Sequence, residues 1–161
     1  MNYLSLKSKK DQMVTQQQIT DFLANKPIAM AGVSRNPKKF GYTAFKELRE
    51  KGLDLVPINP NADEIDGIQV YPSVNDIPQE IKALLVVTNK EQTAEVIKSA
   101  RKKGIKHIWI QQMSETPEAI ETVKGADINL ISKQCILMYH RPHGIHKFHR
   151  NIKRFFGRLP K

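Results

Sequence analysis

Short apolar runs alternate with segments of helical spacing along this chain of 161 residues, and this alternation constrains the fold most. Runs bounded by Gly, Pro and Asn predict buried strands at residues 28–31, 53–58, 83–87, 105–110 and 127–131. Strands that alternate with helices are typical of βαβ units and a parallel sheet. Few polar residues interrupt the runs, as expected when helices cover both faces of the sheet. We therefore predict an α/β fold with a doubly wound, mostly parallel five-stranded sheet and helices on both faces.

Capping signals mark where helices begin and end. Thr15 and Gln18 fit a capping box that opens a short first helix. The helix after the third strand is predicted to begin after Asn89 and to stop at Gly104. Thr116, followed by proline and glutamate, is predicted to cap the last helix.

The turn after the first strand has the sequence G-V-S-R-N-P-K-K, at residues 32–39, and it precedes a segment of helical spacing at 41–51. A helix N-terminus presents free backbone N–H groups and the positive end of the helix dipole, which together favour a phosphate group. Arg35, Lys38 and Lys39 add positive charge beside it. The turn therefore predicts a ligand that carries phosphates. An ordinary loop with solvated charges is the alternative.

The carboxyl edge of the sheet is where ligands bind in open α/β folds, at the switch point of the strand order. The residues predicted to lie there are 32–39, 59–61, 88–90 and 111–115.

The fingerprint of nicotinamide dinucleotide binding is incomplete in this chain. Ser34 stands where the second glycine of G-x-G-x-x-G would be, and no acid follows the second strand to hold a ribose diol. That strand ends instead in Asn59 and Pro60. The Walker A pattern is also absent from the sequence. These features argue against a nicotinamide cofactor and against ATP hydrolysis of the P-loop type.

Motifs at the strand ends resemble one known family. They are A-G-V-S-R-N-P at 31–37, V-P-I-N-P at 56–60, G-I-Q-V-Y-P at 67–72 and I-W-I-Q at 108–111, together with Cys135. In this order they resemble the small coenzyme A (CoA) binding domain proteins, which look like a stand-alone version of the nucleotide domain in the alpha subunit of succinyl-CoA synthetase. The resemblance implies a Rossmann-like fold with CoA bound across the carboxyl edge of the sheet.

The resemblance also implies which residues bind CoA. By position, the phosphates would be held by Gly32, Val33, Ser34, Arg35 and Asn36, with Lys38 and Lys39 adding charge for the pyrophosphate and the 3′-phosphate. Asn59 and Pro60 would border the adenosine, and Val87, Thr88 and Gln111 would line the rest of the groove. Members often carry a glycine where this chain has Met113.

Charge divides the chain into unequal parts. All sixteen acidic residues lie at or before Asp127, and eight basic residues follow it, which accounts for most of the net charge of +10. We predict a polar leader at 1–14, a CoA-binding Rossmann-like domain at 15–138 and a basic tail at 139–161, with a loop at 63–71 that turns at an Asp-Gly pair. The tail would attract polyanions through electrostatic attraction that weakens as the salt concentration rises.

The tail contains His140, His143, His146 and His149. Because a proline and a glycine interrupt this segment, at most two of these imidazoles would share a helix face, so no metal site is predicted. Residues 145–157 predict a basic amphipathic helix. We expect it to dock on the domain or on a second copy in a homodimer, and contact with nucleic acid or with a membrane surface is the alternative.

Composition limits the remaining classes of function. No apolar stretch reaches the roughly 20 residues that span a bilayer, the first residues lack the apolar core of a secretory signal, and the single Cys135 fits a reducing compartment. We therefore expect a cytoplasmic protein. No positioned acid–base or nucleophile–base pair stands out, so we expect binding without catalysis, and the resemblance implies that the ligand is CoA or acyl-CoA. The alternatives are an NAD(P)-dependent oxidoreductase, an acyl-CoA enzyme that uses Cys135, and a polyanion-binding module acting through the tail.

Overall fold

The computed structural model describes residues 14–141. The predictions for residues 1–13 and for 142–161, which include His143, His146, His149 and the amphipathic helix at 145–157, lie outside the described residues.

Helices and strands alternate through the described part of the chain. The helices are α1 (Gln16–Ala24), α2 (Phe40–Glu50), α3 (Lys90–Lys103) and α4 (Pro117–Val123). The strands are β1 (Ile28–Ala31), β2 (Leu55–Ile58), β3 (Glu64–Ile65), β4 (Ile68–Gln69), β5 (Ala83–Val86), β6 (His107–Gln111) and β7 (Asn129–Gln134), and a 3₁₀ turn follows at Ile136–Met138.

The main sheet has five strands in the order β2-β1-β5-β6-β7, and every neighbouring pair is parallel. Two apolar clusters fill its two faces. One contains residues of α1 and α2, such as Phe22 and Phe45, around the fully buried Trp109. The other contains residues of α3 and α4, such as Ile97 and Ala119. The doubly wound, Rossmann-like α/β fold is therefore confirmed.

The threonine caps predicted for the first and last helices are present. Thr15 and Gln18 form a reciprocal capping box at α1, with the Gln18 backbone N–H donating to Thr15 Oγ1 at 3.2 Å. Thr116 Oγ1 accepts a hydrogen bond from the backbone N–H of Ala119 at 3.1 Å. These local interactions satisfy N–H groups that have no partner within the helix.

One predicted loop is wrong in part. Residues 63–71 contain a small antiparallel hairpin, β3–β4, which turns at Asp66 and Gly67 as predicted, with φ angles of 51° and 76°. Strands of two residues carry too little periodicity to be read from sequence. The Tyr42 hydroxyl donates to Asp66 Oδ1 at 3.3 Å, which links the hairpin to α2.

Three strands begin two residues later than predicted: β2 at Leu55, β6 at His107 and β7 at Asn129, against predicted runs at 53–58, 105–110 and 127–131. β7 also ends three residues later, at Gln134. None of the helices within residues 14–141 combines the length and the apolar content that crossing a membrane requires.

Candidate functional site

The switch point of the sheet lies between β1 and β5. The chain leaves β1 toward β2 on one side and returns to β5 on the other side. In open sheets this arrangement leaves a crevice at the carboxyl ends of the two central strands, where ligands bind. The turn that follows β1 is therefore at the position expected for a ligand site.

Gly32 allows two backbone segments to approach closely at this switch point. Its φ angle is +92°, a conformation that side chains disfavour. A β-carbon here would lie 2.7 Å from the carbonyl carbon of Val87 and 2.8 Å from the backbone nitrogen of Thr88. Glycine is thus required for both conformation and space.

Hydrogen bonds within the turn fix its course. Ser34 Oγ accepts from the backbone N–H of Asn36 at 3.0 Å, and Asn36 Oδ1 accepts from the backbone N–H of Lys38 at 2.9 Å. Arg35, Asn36, Lys38 and Lys39 are all exposed. The basic side chains therefore stand in solvent around a turn whose backbone is held by its own polar groups.

Asn59 links the end of β2 to this turn. Its Nδ2 donates to the Val33 carbonyl oxygen at 2.6 Å, and its Oδ1 accepts from the backbone N–H of Asn61 at 2.7 Å. Both ends of the amide thus bond to the protein itself. The side chain holds the first turn in place.

Two helices open on the switch point without side-chain caps. Lys39 is the N-cap residue of α2 and Asn89 is that of α3, and neither side chain makes a capping hydrogen bond. The predicted position of Asn89 is confirmed, whereas its predicted cap bond is absent. The other two helices, α1 and α4, are capped by threonines. The helices without a side-chain cap are therefore the two that begin at the switch point. Uncapped helix starts leave N–H groups and positive dipole ends available to an anion.

An open groove of about 760 Å³ lies along this edge. This volume falls within the range of small-molecule sites. Eight of the residues predicted for the site line it: Gly32, Val33, Ser34, Lys39, Asn59, Pro60, Val87 and Thr88. Arg35, Asn36 and Lys38 do not line it, although they belong to the turn that forms its rim.

Gln111 lies elsewhere, and the expectation that it lines the groove is not met. Its side chain is 4% exposed, and Oε1 accepts a hydrogen bond from the backbone N–H of Ile136 at 3.1 Å. Gln111 thus joins the end of β6 to the 3₁₀ turn after β7. Trp109 makes a similar link, since its Nε1 donates to the Gln134 carbonyl oxygen at 3.0 Å.

Sequence reasoning missed the wall that α3 contributes. Residues of its first three turns line the groove at helical spacing: Glu91, Gln92, Glu95, Val96 and Ser99. The spacing of three and four residues was a usable signal, because one face of a helix that starts at the switch point must border the crevice. Phe40, 42% exposed at the start of α2, was also missed.

Charge is unevenly distributed in the groove. Lys39 lies on the α2 side, whereas Glu91 and Glu95 lie on the α3 side. Lys98 bonds to Glu95 at 2.7 Å and holds the pKa of this carboxyl below its usual value. The positive turn and both helix starts favour anionic groups near Gly32, and the α3 side favours neutral or donor groups.

The described residues that line the groove include no histidine and no cysteine. Cys135 is 8% exposed and lies in the core cluster on the α1 and α2 face. Within residues 14–141, the acidic, histidine and cysteine side chains form no cluster of three that would suit a metal ion.

The fold and the groove define a doubly wound α/β domain with its candidate site at the switch point, an architecture of nucleotide-binding proteins. The family model of the CoA binding domain matches residues 26–141. The chain belongs to this CoA-binding domain family.

Similar proteins include enzyme subunits and small proteins of known structure. The chain is 28% identical over 151 residues to the alpha subunit of the ADP-forming acetate–CoA ligase II of Pyrococcus furiosus, covering 87% of this chain and 32% of that subunit. A conserved hypothetical protein of Pyrococcus furiosus is 34% identical, with a TM-score of 0.66 over 68% of this chain and 95% of that one. A hypothetical protein of Pyrococcus horikoshii is 32% identical, with a TM-score of 0.70 over 76% and 87%. The chain thus spans about a third of the curated ligase subunit that it matches.

Proposed function

We propose that this protein binds CoA or acyl-CoA in the groove at the switch point, without catalysing a reaction on it, in the cytoplasm. One observation carries the proposal: the Gly32 turn, with its basic rim, and the uncapped start of α2 open into the same groove. CoA is a polyanion with a pyrophosphate and a 3′-phosphate. Backbone N–H groups, a helix dipole and nearby basic side chains are what such a ligand requires.

In this proposal the pyrophosphate lies against the backbone of residues 32–36 and the start of α2. Arg35, Lys38 and Lys39 provide charge for the phosphates, and Asn59 and Pro60 border the adenosine. A bidentate contact from Arg35 would be stronger than the point charge of a lysine. The ligase subunit that the chain resembles has a name that includes CoA, which agrees with this class of ligand.

The end of β2 supports CoA over a nicotinamide dinucleotide. Dinucleotide sites use an acid at this position to hold the ribose hydroxyls. Here Asn59 occupies it, and its amide is already bonded to Val33 and Asn61. The acids that line the groove lie on α3, across the switch point from β2.

The test is a thermal unfolding panel at fixed salt with CoA, acetyl-CoA, dephospho-CoA, NAD, NADP and ATP. A ligand that binds only the folded state adds roughly 2.7 kcal/mol at a hundredfold excess over its dissociation constant. We expect stabilisation by CoA that weakens with dephospho-CoA. Stabilisation by NAD or NADP alone would replace the proposal with an oxidoreductase. No stabilisation by any ligand would refute it and leave the basic tail as the functional element.

Variants locate the site. Arg35→Ala and Lys38→Ala should each weaken CoA binding, because each removes a charge from the rim of the turn. Lys124→Ala is the control, since Lys124 is an exposed lysine beside α4 that pairs with Glu121 and lies away from the groove. Equal losses in the three variants would refute the site.

A further inference from the structure

Two threonine hydroxyls form a bonded pair beside the groove. Thr88 lines the groove two residues after the end of β5, and its Oγ1 lies 3.0 Å from Oγ1 of Thr93. Thr93 is fully buried in the first turn of α3, and its Oγ1 donates to the Asn89 carbonyl oxygen at 3.0 Å. The pair therefore connects a groove residue to the backbone of the helix start.

The direction of these bonds follows from counting hydrogens. A hydroxyl carries a single hydrogen, and a carbonyl oxygen can only accept. The hydrogen of Thr93 is therefore used on Asn89, so the bond between the two hydroxyls must be donated by Thr88. Thr88 then has no hydrogen left for a ligand. It offers only lone pairs to the groove.

This polarity selects the chemistry of the ligand group beside Thr88. An ionised phosphate oxygen only accepts, so it would face another acceptor with no hydrogen between them. An N–H or O–H group of the ligand, in contrast, could donate a hydrogen bond to the lone pairs of Thr88 Oγ1. The protein thus places a pure acceptor directly next to a turn that favours phosphates.

The order of the strands indicates which part of CoA reaches Thr88. Asn59 follows β2, Gly32 follows β1 and Thr88 follows β5, and these strands are neighbours in that order. CoA has its adenosine, pyrophosphate and pantetheine arm in the same linear order. With the pyrophosphate at Gly32 and the adenosine at Asn59, the arm extends over Thr88 and along α3.

From this arrangement we infer that Thr88 accepts a hydrogen bond from an amide N–H or the hydroxyl of the pantetheine arm, and that Thr93 is the positioning residue that holds Thr88 as an acceptor. The inference rests on the proposed function. To the proposed site it adds Thr88 as the residue that recognises the pantetheine arm, the neutral half of CoA.

The test compares CoA with adenosine 3′,5′-bisphosphate, which has the nucleotide half and no arm, by titration calorimetry. Thr88→Val keeps the side-chain shape and removes the acceptor, so CoA should bind about tenfold more weakly. The affinity for the bisphosphate should not change. Thr88→Ser keeps the hydroxyl and should bind both ligands as the wild type does.

The role of Thr93 is tested by the same comparison, the affinity for CoA relative to that for adenosine 3′,5′-bisphosphate. Thr93→Val removes the acceptor for the Thr88 hydrogen, which then turns into the groove, so CoA should lose affinity relative to the bisphosphate. Thr93→Ser should restore it. Thr122→Val on α4 is the matched control, because the Thr122 hydroxyl also donates to the carbonyl four residues earlier, at 2.9 Å, away from the groove.

Each contrary outcome is distinct. Wild-type affinity for CoA in Thr88→Val would overturn the inference, and so would an equal loss for both ligands, which would place the contact on the nucleotide half. Failure of the wild type to bind CoA would instead refute the proposed function. Thermal unfolding without ligand shows that each variant is folded before it is titrated.

Discussion

Gly41, in the first turn of α2, packs directly on the carbonyl group of Gly32. A β-carbon at residue 41 would lie 2.1 Å from the Gly32 carbonyl oxygen, which is far inside van der Waals contact. The same Gly32 lies against the backbone of Val87 and Thr88 on its other side. Two glycines thus allow the turn after β1, the start of α2 and the segment after β5 to meet.

Gly41→Ala tests this contact. Alanine normally stabilises a helix by about 1 kcal/mol relative to glycine. Here the methyl group has no space, so we expect the free energy of unfolding to fall by about 2–3 kcal/mol. Denaturant unfolding of the variant and the wild type measures the change. An increase in stability would show that the Gly32 carbonyl yields easily and that the contact does not hold the turn.

Asn59→Asp tests the link between β2 and the turn. The change removes the donor to the Val33 carbonyl oxygen, so we expect the affinity for CoA to fall about tenfold as the turn loosens. Asn61→Asp adds the same charge to the groove without removing this bond, which makes it the matched control. Equal effects in calorimetric titrations would mean that charge, and not the bond to Val33, matters.

Met113→Gly should stabilise the protein. Met113 has a φ angle of +79° and is 70% exposed, so its side chain contributes strain and little burial. Glycine adopts this conformation freely, and we expect the free energy of unfolding to rise by about 1 kcal/mol. The neighbouring exposed Gln112, which lacks a positive φ angle, is the control: Gln112→Gly should lower stability. If both changes lower the free energy of unfolding, the backbone of Met113 is not strained.

His140 should make stability depend on pH. Burial lowers the pKa of His140 below its usual 6.5, against a raising effect from its hydrogen bond to the Lys51 carbonyl oxygen. The unfolded chain therefore takes up this proton at higher pH than the folded chain does. Stability contributed by the neutral ring is present above pH 6.5 and is lost as the pH falls through the folded pKa.

His140→Gln should remove this component while keeping a donor for the Lys51 carbonyl. Denaturant unfolding from about pH 5 to about pH 8 should then show a weaker loss on acidification than in the wild type. The other four histidines are common to both proteins, so the difference isolates His140. If the variant and the wild type lose stability equally on acidification, His140 is not the source of the pH dependence.

The fold was predictable because its signals are local. Apolar runs, the Thr15 capping box and the Thr116 cap involve residues close in sequence. Both caps were found as predicted, and each apolar run contains a strand, although some strand boundaries moved. The strand at residues 28–31 and the turn that follows it were also recognised from their own residues. These features depend on backbone preferences that neighbouring residues determine.

The site was predictable only in part, because side-chain direction depends on distant partners. Gln111 stands at a strand end like Thr88, yet its amide bonds to Ile136, 25 residues further along the chain. Asn59 similarly bonds to Val33, which is 26 residues earlier. No local pattern reports such pairs. The α3 wall was missed for a related reason, since its place in the groove follows from the sheet order.

The contacts around Gly32 have a consequence for the kinetics of binding. The turn is held by contacts that the protein makes with itself: with Gly41, with the segment after β5 and, through Val33, with Asn59. A site formed in advance needs no slow rearrangement, so the observed association rate should rise linearly with ligand concentration, without a plateau. Added salt should slow the encounter with a charged ligand through screening at the basic rim. The residence time of the ligand then depends on the short-range contacts inside the groove, which salt screens far less.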